Sequence, residues 1–374
     1  MAHSIPREMK SIQVAEYNKP YKINPHTPVP LDLGPHDLLV KVAVASHCHT
    51  DRMVRTGVFS TALPCIGSHE GSGTVTVVGS AAEGSFKTGD RVMCGIPLHP
   101  CGKCADCHPD SPEKQRQYCS SESHVGVLTD GCFAEYVRVD ARFTTPVPDN
   151  VSLVIAAPLA CAGRTVWRAV EQAGLKEGQW LAIVGSGGGL GHLGVQFAKA
   201  KGLRVIGVDA RDAGLELTKE SGADVVIDAR KGKDEVVKEV RAATGEKKGS
   251  DWGADATITL ADVDSAAALA CAITRMHGDM IQVAQPDQVK IPFQELVFRD
   301  IRVRGTVLCS PDESRDMMKF IAEHGIKLKT NLFHGLDKIY DLVAKVEEGN
   351  IQGKAIMIVD EEQIQREKEL GVTF

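Results

Sequence analysis

The sequence predicts an α/β chain of two domains, with a doubly wound parallel sheet inserted into a split β-rich domain. Three observations predict it. Residues 10–150 hold short Val-rich runs (DLLVKVAVAS, SGTVTVVGS, GDRVMCGI, FAEYVRVD) set between Gly, Pro and Asp. Such runs, punctuated by turn residues, read as antiparallel strands. From residue 162 to 305 strand-like and helix-like segments alternate: WLAIVGSG, HLGVQFAKAKG, LRVIGVD, AGLELTKESG, ADVVID. That alternation implies parallel strands with helices on both faces. The tail returns to mixed character, with two helical stretches (RDMMKFIAEHG and LDKIYDLVAKVEEG) before a strand-like AIMIVD. The expected boundaries are 1–161 with 306–374 for the split domain and 162–305 for the insert. No internal repeat or low-complexity tract interrupts them.

Size and charge bound the function. The chain has 374 residues, enough for about two domains at ~150 residues each. Net charge is −6 with no long basic run, which argues against nucleic acid. No uninterrupted apolar run reaches the ~18 residues of a membrane span. The first residues, MAHSIPREMKSIQ, lack the layout of a secretory signal, and the final GVTF carries no known address. The expectation is a cytoplasmic protein without membrane or nucleic-acid partners. Eleven cysteines in such a chain read as thiols or metal ligands rather than disulfides.

A glycine-rich turn lies inside the first strand–helix step of the insert, IVGSGGGLGHLG, Ile183 to Gly194. The strand should end near Gly185 and the helix should begin near Gly191. Gly185, Gly188, Gly189 and Gly191, with Leu190 before the helix, form a G-x-x-G-G-x-G variant of the Rossmann turn. Glycine permits the tight turn and lets a pyrophosphate approach the backbone, while the helix start offers N–H groups and a positive dipole end. The next strand ends at Asp209, 18 residues after Gly191. A carboxylate there accepts hydrogen bonds from a ribose 2′-hydroxyl and repels a 2′-phosphate, favouring NAD over NADP. Arg211 nearby pulls the other way.

Cys101, Cys104, Cys107 and Cys119 fall within nineteen residues, in an otherwise polar lobe of about 95–124. Four close cysteines suit a closed tetrahedral zinc site. An iron–sulfur cluster, a zinc-finger module and plain buried thiols are the competing readings. Cys48 in SHCHTDR, His69 in GSHEGSG and Cys161 in PLACAGR are scattered, and each alone reads as an ordinary core residue.

Taken together, CHTD, GSHEGSG, the four-cysteine lobe, APLACAG and GGGLG stand in the order found in the zinc-containing medium-chain alcohol dehydrogenases. The chain resembles that family over about residues 10–360, most of all its fungal and bacterial tetrameric branch. The resemblance implies a GroES-like catalytic domain around a Rossmann domain. It implies two zinc ions per chain, NAD as hydride carrier, an alcohol or aldehyde substrate and a homotetramer. Cys48, His69 and Cys161 would bind a catalytic zinc, leaving one position open. Glu70 would lie behind that metal, able to coordinate it transiently. Asp51 would orient His69, Thr50 would bond the alcohol hydroxyl and begin its proton path, and His49 and Lys354 would lie near the coenzyme phosphates. A zinc-free quinone or enoyl reductase on the same scaffold, or a non-enzymatic metal-binding protein, are the alternatives.

The sequence departs from the family in four places. Thr56 stands eight residues after Cys48, where a relay histidine can occur, so proton release would use water, His47 or His49. The loop between Cys107 and Cys119 is longer than in fungal relatives. Gly214 replaces a lysine near the adenosine ribose. Ile96 or Leu98 stands where yeast-like members carry a bulky Trp, which predicts a substrate larger than ethanol.

Overall fold

The computed structural model describes residues 5–108, 110, 115–245 and 252–372. Contacts divide the chain into two units. The first runs to Arg164 and resumes over Cys309–Gly325 and from Thr330; the second is Thr165–Leu308 with Ile326–Lys329. The seams therefore fall three residues later than expected from sequence, and a four-residue return to the second unit had no sequence signal.

In the first unit, the central strand Asp37–His47 is buried along almost its whole length. It pairs antiparallel with Glu70–Val78, with Tyr136–Asp140 and with Lys354–Ile358. Register decides what meets at its end. Ser46 stands opposite Glu70, and His47 stands opposite Ala355. The segment just beyond His47 is thereby flanked by Glu70 on one side and Lys354 on the other. Leu38, Leu39, Val40, Val42 and Ala45 build the core with Ile12, Val75, Val92, Phe133, Val139 and Met357.

In the second unit, six strands form one parallel sheet. Its order is Val225–Asp228, Arg204–Asp209, Trp180–Val184, Ala254–Thr259, Thr274–Gln282, Arg302–Gly305. Numbered along the chain this is 3-2-1-4-5-6, the Rossmann order. Trp180–Val184 is buried at every position, as a central parallel strand requires.

The helical stretch Leu153–Gln172 has a span-like length and apolarity, but 89% of its most apolar window is buried in protein. It is a core helix, interrupted by a π-helical turn at Leu159–Gly163. Pro158 supplies no N–H and crowds the carbonyl four residues back, which disfavours a regular continuation. Gly163 completes the turn, since a Cβ there would lie 2.6 Å from the Leu159 side chain.

Candidate metal centres and dinucleotide turn

Cys48 caps the short helix His49–Arg55. Asp51 in its first turn is fully buried and accepts the backbone N–H groups of Cys48 and Ser68, each at 2.8 Å. One carboxylate thus fixes the chain at Cys48 and at the residue before His69. Its Oδ1 also lies 4.0 Å from His69 Nδ1. Ser68 adopts φ 65°, and its hydroxyl donates to the carbonyls of Ser46 and Glu70. Gly126 and Gly131 pack directly on Ser68, where a Cβ would fall 2.3 Å and 2.1 Å from its carbonyl oxygen. Ser68, Gly126 and Gly131 escaped the sequence reading because no local pattern connects them.

The ligand atoms of Cys48, His69, Glu70 and Cys161 all lie within 4.8 Å of one another. Both ring nitrogens of His69 are buried without a hydrogen-bond partner. A buried imidazole with two bare nitrogens costs free energy unless something coordinates it. Two sulfurs and an imidazole are the donor set zinc takes. Glu70 has further neighbours. Its Oε1 accepts the Ala162 N–H at 3.1 Å, and its Oε2 lies 2.6 Å from Lys354 Nζ. Burial pushes the Glu70 carboxyl up to about 7, against the pull of Lys354. His69 is raised to about 9: burial opposes its protonation, and the Cys48 thiol and Asp51 outweigh that. The neighbouring Cys161 thiol, opposed by burial, holds Cys48 well below its ordinary value.

Lys354 was expected beside the coenzyme phosphates. Its ammonium is buried against Glu70, because the antiparallel pairing of Ala355 with His47 delivers it to the end of the central strand. Thr50 is half-buried, its Oγ1 4.0 Å from Cys48 Sγ. The Thr56 hydroxyl donates to the carbonyls of Arg52 and Met53, so it is spent on its own helix end. His49 is exposed, and His47 is buried with its pKa lowered by that burial.

The sulfurs of Cys101, Cys104, Cys107 and Cys119 also gather within 4.8 Å. Backbone N–H groups point at them, Cys101 N to Cys119 Sγ at 3.4 Å and Cys104 N to Cys101 Sγ at 3.3 Å. N–H groups of Lys103 and Cys104 bring the Cys101 thiol down to about 6. Donors aimed at sulfur favour the thiolate that a metal needs. Part of the long loop, 109 and 111–114, lies outside the described residues.

In the second unit the strand Trp180–Val184 turns at Gly185, φ 86°, into the helix Gly191–Ala200. A Cβ on Gly191 would sit 2.2 Å from the Gly185 carbonyl oxygen. Gly187, passed over in the sequence reading, is equally constrained: its Cβ would fall 1.9 Å from the Gly214 carbonyl oxygen. Gly214 in turn leaves room for Asp209, whose Oδ1 would be 2.3 Å from a Cβ there. Gly188 has space, with nothing closer than 3.4 Å. Gly188, Gly189 and Leu190 are half-buried, and no side chain caps the helix start. Asp209 is buried and accepts the N–H groups of Gly187, Ala210 and Arg211. The Arg211 guanidinium lies 3.4 Å from the same carboxylate.

Ile96 and Leu98 are both buried. Leu98 lines a cavity of about 260 Å³ in the first unit, with Cys65, Asp130 and Tyr136; none of Cys48, His69 or Cys161 borders it.

Two family models match the chain. The alcohol dehydrogenase GroES-like domain covers residues 34–149, and the zinc-binding dehydrogenase model covers 189–323. An alcohol dehydrogenase of Geobacillus stearothermophilus is 32% identical over 94% of this chain and 100% of its own. Alcohol dehydrogenase 1 of Emericella nidulans is 33% identical over 96% of this chain and 100% of its own. The crystal structure of an alcohol dehydrogenase from Aeropyrum pernix superposes with a TM-score of 0.83 at 28% identity, over 93% of this chain and 99% of that one.

Proposed function

Because this chain belongs to the zinc-containing medium-chain alcohol dehydrogenases and interconverts an alcohol with its carbonyl compound by hydride transfer to or from a nicotinamide dinucleotide, we propose the residues that do it. Cys48, His69 and Cys161 hold the catalytic zinc, and Cys101, Cys104, Cys107 and Cys119 hold a second, structural one. The observation that carries this reading is His69, buried with both ring nitrogens unpartnered, with two thiols within 4.8 Å. Zinc supplies Lewis acidity to the substrate oxygen, and nicotinamide supplies the ring that exchanges hydride. Asp51 keeps Cys48 and His69 in place through the backbone on either side. Thr50, half-buried beside Cys48, would accept a hydrogen bond from the substrate hydroxyl and pass its own proton on to water as that hydroxyl ionises. Thr56 takes no part in its release, since its hydroxyl is bound to helix carbonyls. With Oε1 on Ala162 and Oε2 beside Lys354, Glu70 positions the ligand turn and would be near enough to the ion to join it transiently.

The coenzyme is NAD, on the support of Asp209 at the end of the second strand. Gly185, Gly188, Gly189, Leu190 and Gly191 would meet its pyrophosphate. The substrate is larger than ethanol; the aliphatic Ile96 supports this, and Leu98 lends less because it lines a separate cavity. The protein works as a homo-oligomer. Support comes from the edge strand Arg302–Gly305, exposed along its length, beside the exposed Phe293, Val297 and Phe298. Unpaired edges with apolar neighbours invite a second copy. Eleven free thiols suit a reducing, cytoplasmic setting.

Metal analysis tests the core of the proposal. Two zinc ions per chain are expected, with Cys48→Ala losing one ion and all alcohol oxidation while still binding coenzyme. Zero or one zinc in the parent, or full activity in Cys48→Ala, overturns it.

A further inference from the structure

The largest fully buried side chain of the described residues is a cation, Arg164. Its Nε donates to Ser314 Oγ at 2.9 Å, and its Nη2 donates to Thr145 Oγ1 at 2.9 Å and to the Phe143 carbonyl. Thr145 and Ser314 also bond each other at 2.8 Å, and both are buried. These partners are hydroxyls and a carbonyl. Among the described residues no carboxylate pairs with the guanidinium, and Cys161 lies three residues before it on the same helical run. A buried cation without a carboxylate is costly, and an apolar side chain of similar size would fill the space more cheaply. What the guanidinium adds is a rigid fork of donors with fixed directions, together with a permanent charge.

Its place in the chain says what it directs. Arg164 follows immediately on the π-helical turn Leu159–Gly163 and stands three residues after Cys161. Side chains three apart on a helix neighbour one another. A π turn is a wide, weakly bonded loop of helix, common at functional positions, and needs outside restraint to keep one geometry. Glu70 restrains it at Ala162. Arg164 restrains its other end, against the Phe143–Thr145 segment and the helix Pro311–His324.

We propose that Arg164 is a positioning residue for the open metal centre, clamping the π turn so that Cys161 faces Cys48 and His69. The inference rests on the proposed ligand set of Cys48, His69 and Cys161.

The test is graded chelator competition on the full-length protein, reading zinc per chain and, after cobalt substitution, the visible absorption of each site. Arg164→Met should release the ion at Cys48, His69 and Cys161 at a chelator concentration about tenfold lower than the parent, the scale for residues that orient ligands. The four-cysteine ion should be retained as in the parent. Arg164→Lys keeps the charge but not the fork, and should fall between, with a shifted cobalt spectrum. Thr145→Val removes one acceptor and is the milder variant should Arg164→Met not fold; it should show the same selective loss, smaller in size. Release of both ions at the parental concentration in the variants, or equal weakening of both ions, overturns the role of Arg164 alone. A parent that holds no ion at the Cys48 set overturns the ligand assignment and this inference with it.

Discussion

Lys354 Nζ lies 2.6 Å from Glu70 Oε2, with the carboxylate wholly removed from solvent and the lysine nearly so. The other Glu70 oxygen holds Ala162, next to Cys161. This buried pair is therefore part of what sets the candidate catalytic centre. Breaking a buried pair from one side strands the other charge, at about 3–5 kcal/mol. Lys354→Met should lose stability on that scale in urea titrations. The double variant Lys354→Met/Glu70→Gln should recover part of it. A stability loss under 1 kcal/mol in Lys354→Met would show that Glu70 finds another partner.

The glycine turn separates two demands. Gly187→Ala forces a Cβ to within 1.9 Å of the Gly214 backbone, so it should lower the melting temperature and coenzyme affinity together. Gly188→Ala meets nothing closer than 3.4 Å. It should melt like the parent and weaken only coenzyme binding, because the pyrophosphate needs close backbone approach there. Thermal melts beside NADH fluorescence titrations make the comparison. Equal melting temperatures for both variants would contradict it.

Coenzyme choice and turn structure share one carboxylate. Asp209 accepts three backbone N–H groups of the turn and its exit. Asp209→Ser should raise the kcat/KM ratio of NADP to NAD, with Arg211 then free to meet a 2′-phosphate. It should also lower the melting temperature, since these donors lose their acceptor at ~1–3 kcal/mol for an unsatisfied buried group. An unchanged coenzyme ratio would remove Asp209 from the discriminating role.

Acid stability has a local contributor in the second unit. Asp224 accepts Lys199 Nζ at 2.8 Å and the Val205 N–H at 2.6 Å. Burial raises its pKa, but these bonds outweigh it and hold the carboxyl below its ordinary value. A depressed folded pKa stabilises above the unfolded value and is lost as pH falls through the folded one. Asp224→Asn should therefore cost little, about 1 kcal/mol or less at a part-exposed site, at pH 7. The difference from the parent should shrink and then vanish as acidification protonates Asp224. A gap that widens on acidification would reverse the sign assigned here.

Much of this was readable in the chain. The four-cysteine lobe was visible because its ligands are close in sequence, so spacing alone implies convergence. The parallel sheet was visible because each strand and helix carries its own period. Gly185, Gly191 and Asp209 were visible as a turn motif with its acid at the expected distance. Gly187 could have been found by asking which glycine faces the next helix, but only the contact with Gly214 makes the reason plain.

The sequence by itself determined the two domain types, the closed thiol lobe, the dinucleotide turn and the identity of the scattered ligand residues by resemblance. Only the tertiary structure decided how Cys48, His69 and Cys161 come together, that Lys354 pairs with Glu70, and that Arg164 lies buried beside the turn bearing Cys161. The physical reason is range. Lobe and turn are fixed by neighbours within a few residues, whereas the second set depends on strand register and buried charge between segments up to about three hundred residues apart, which no local pattern records.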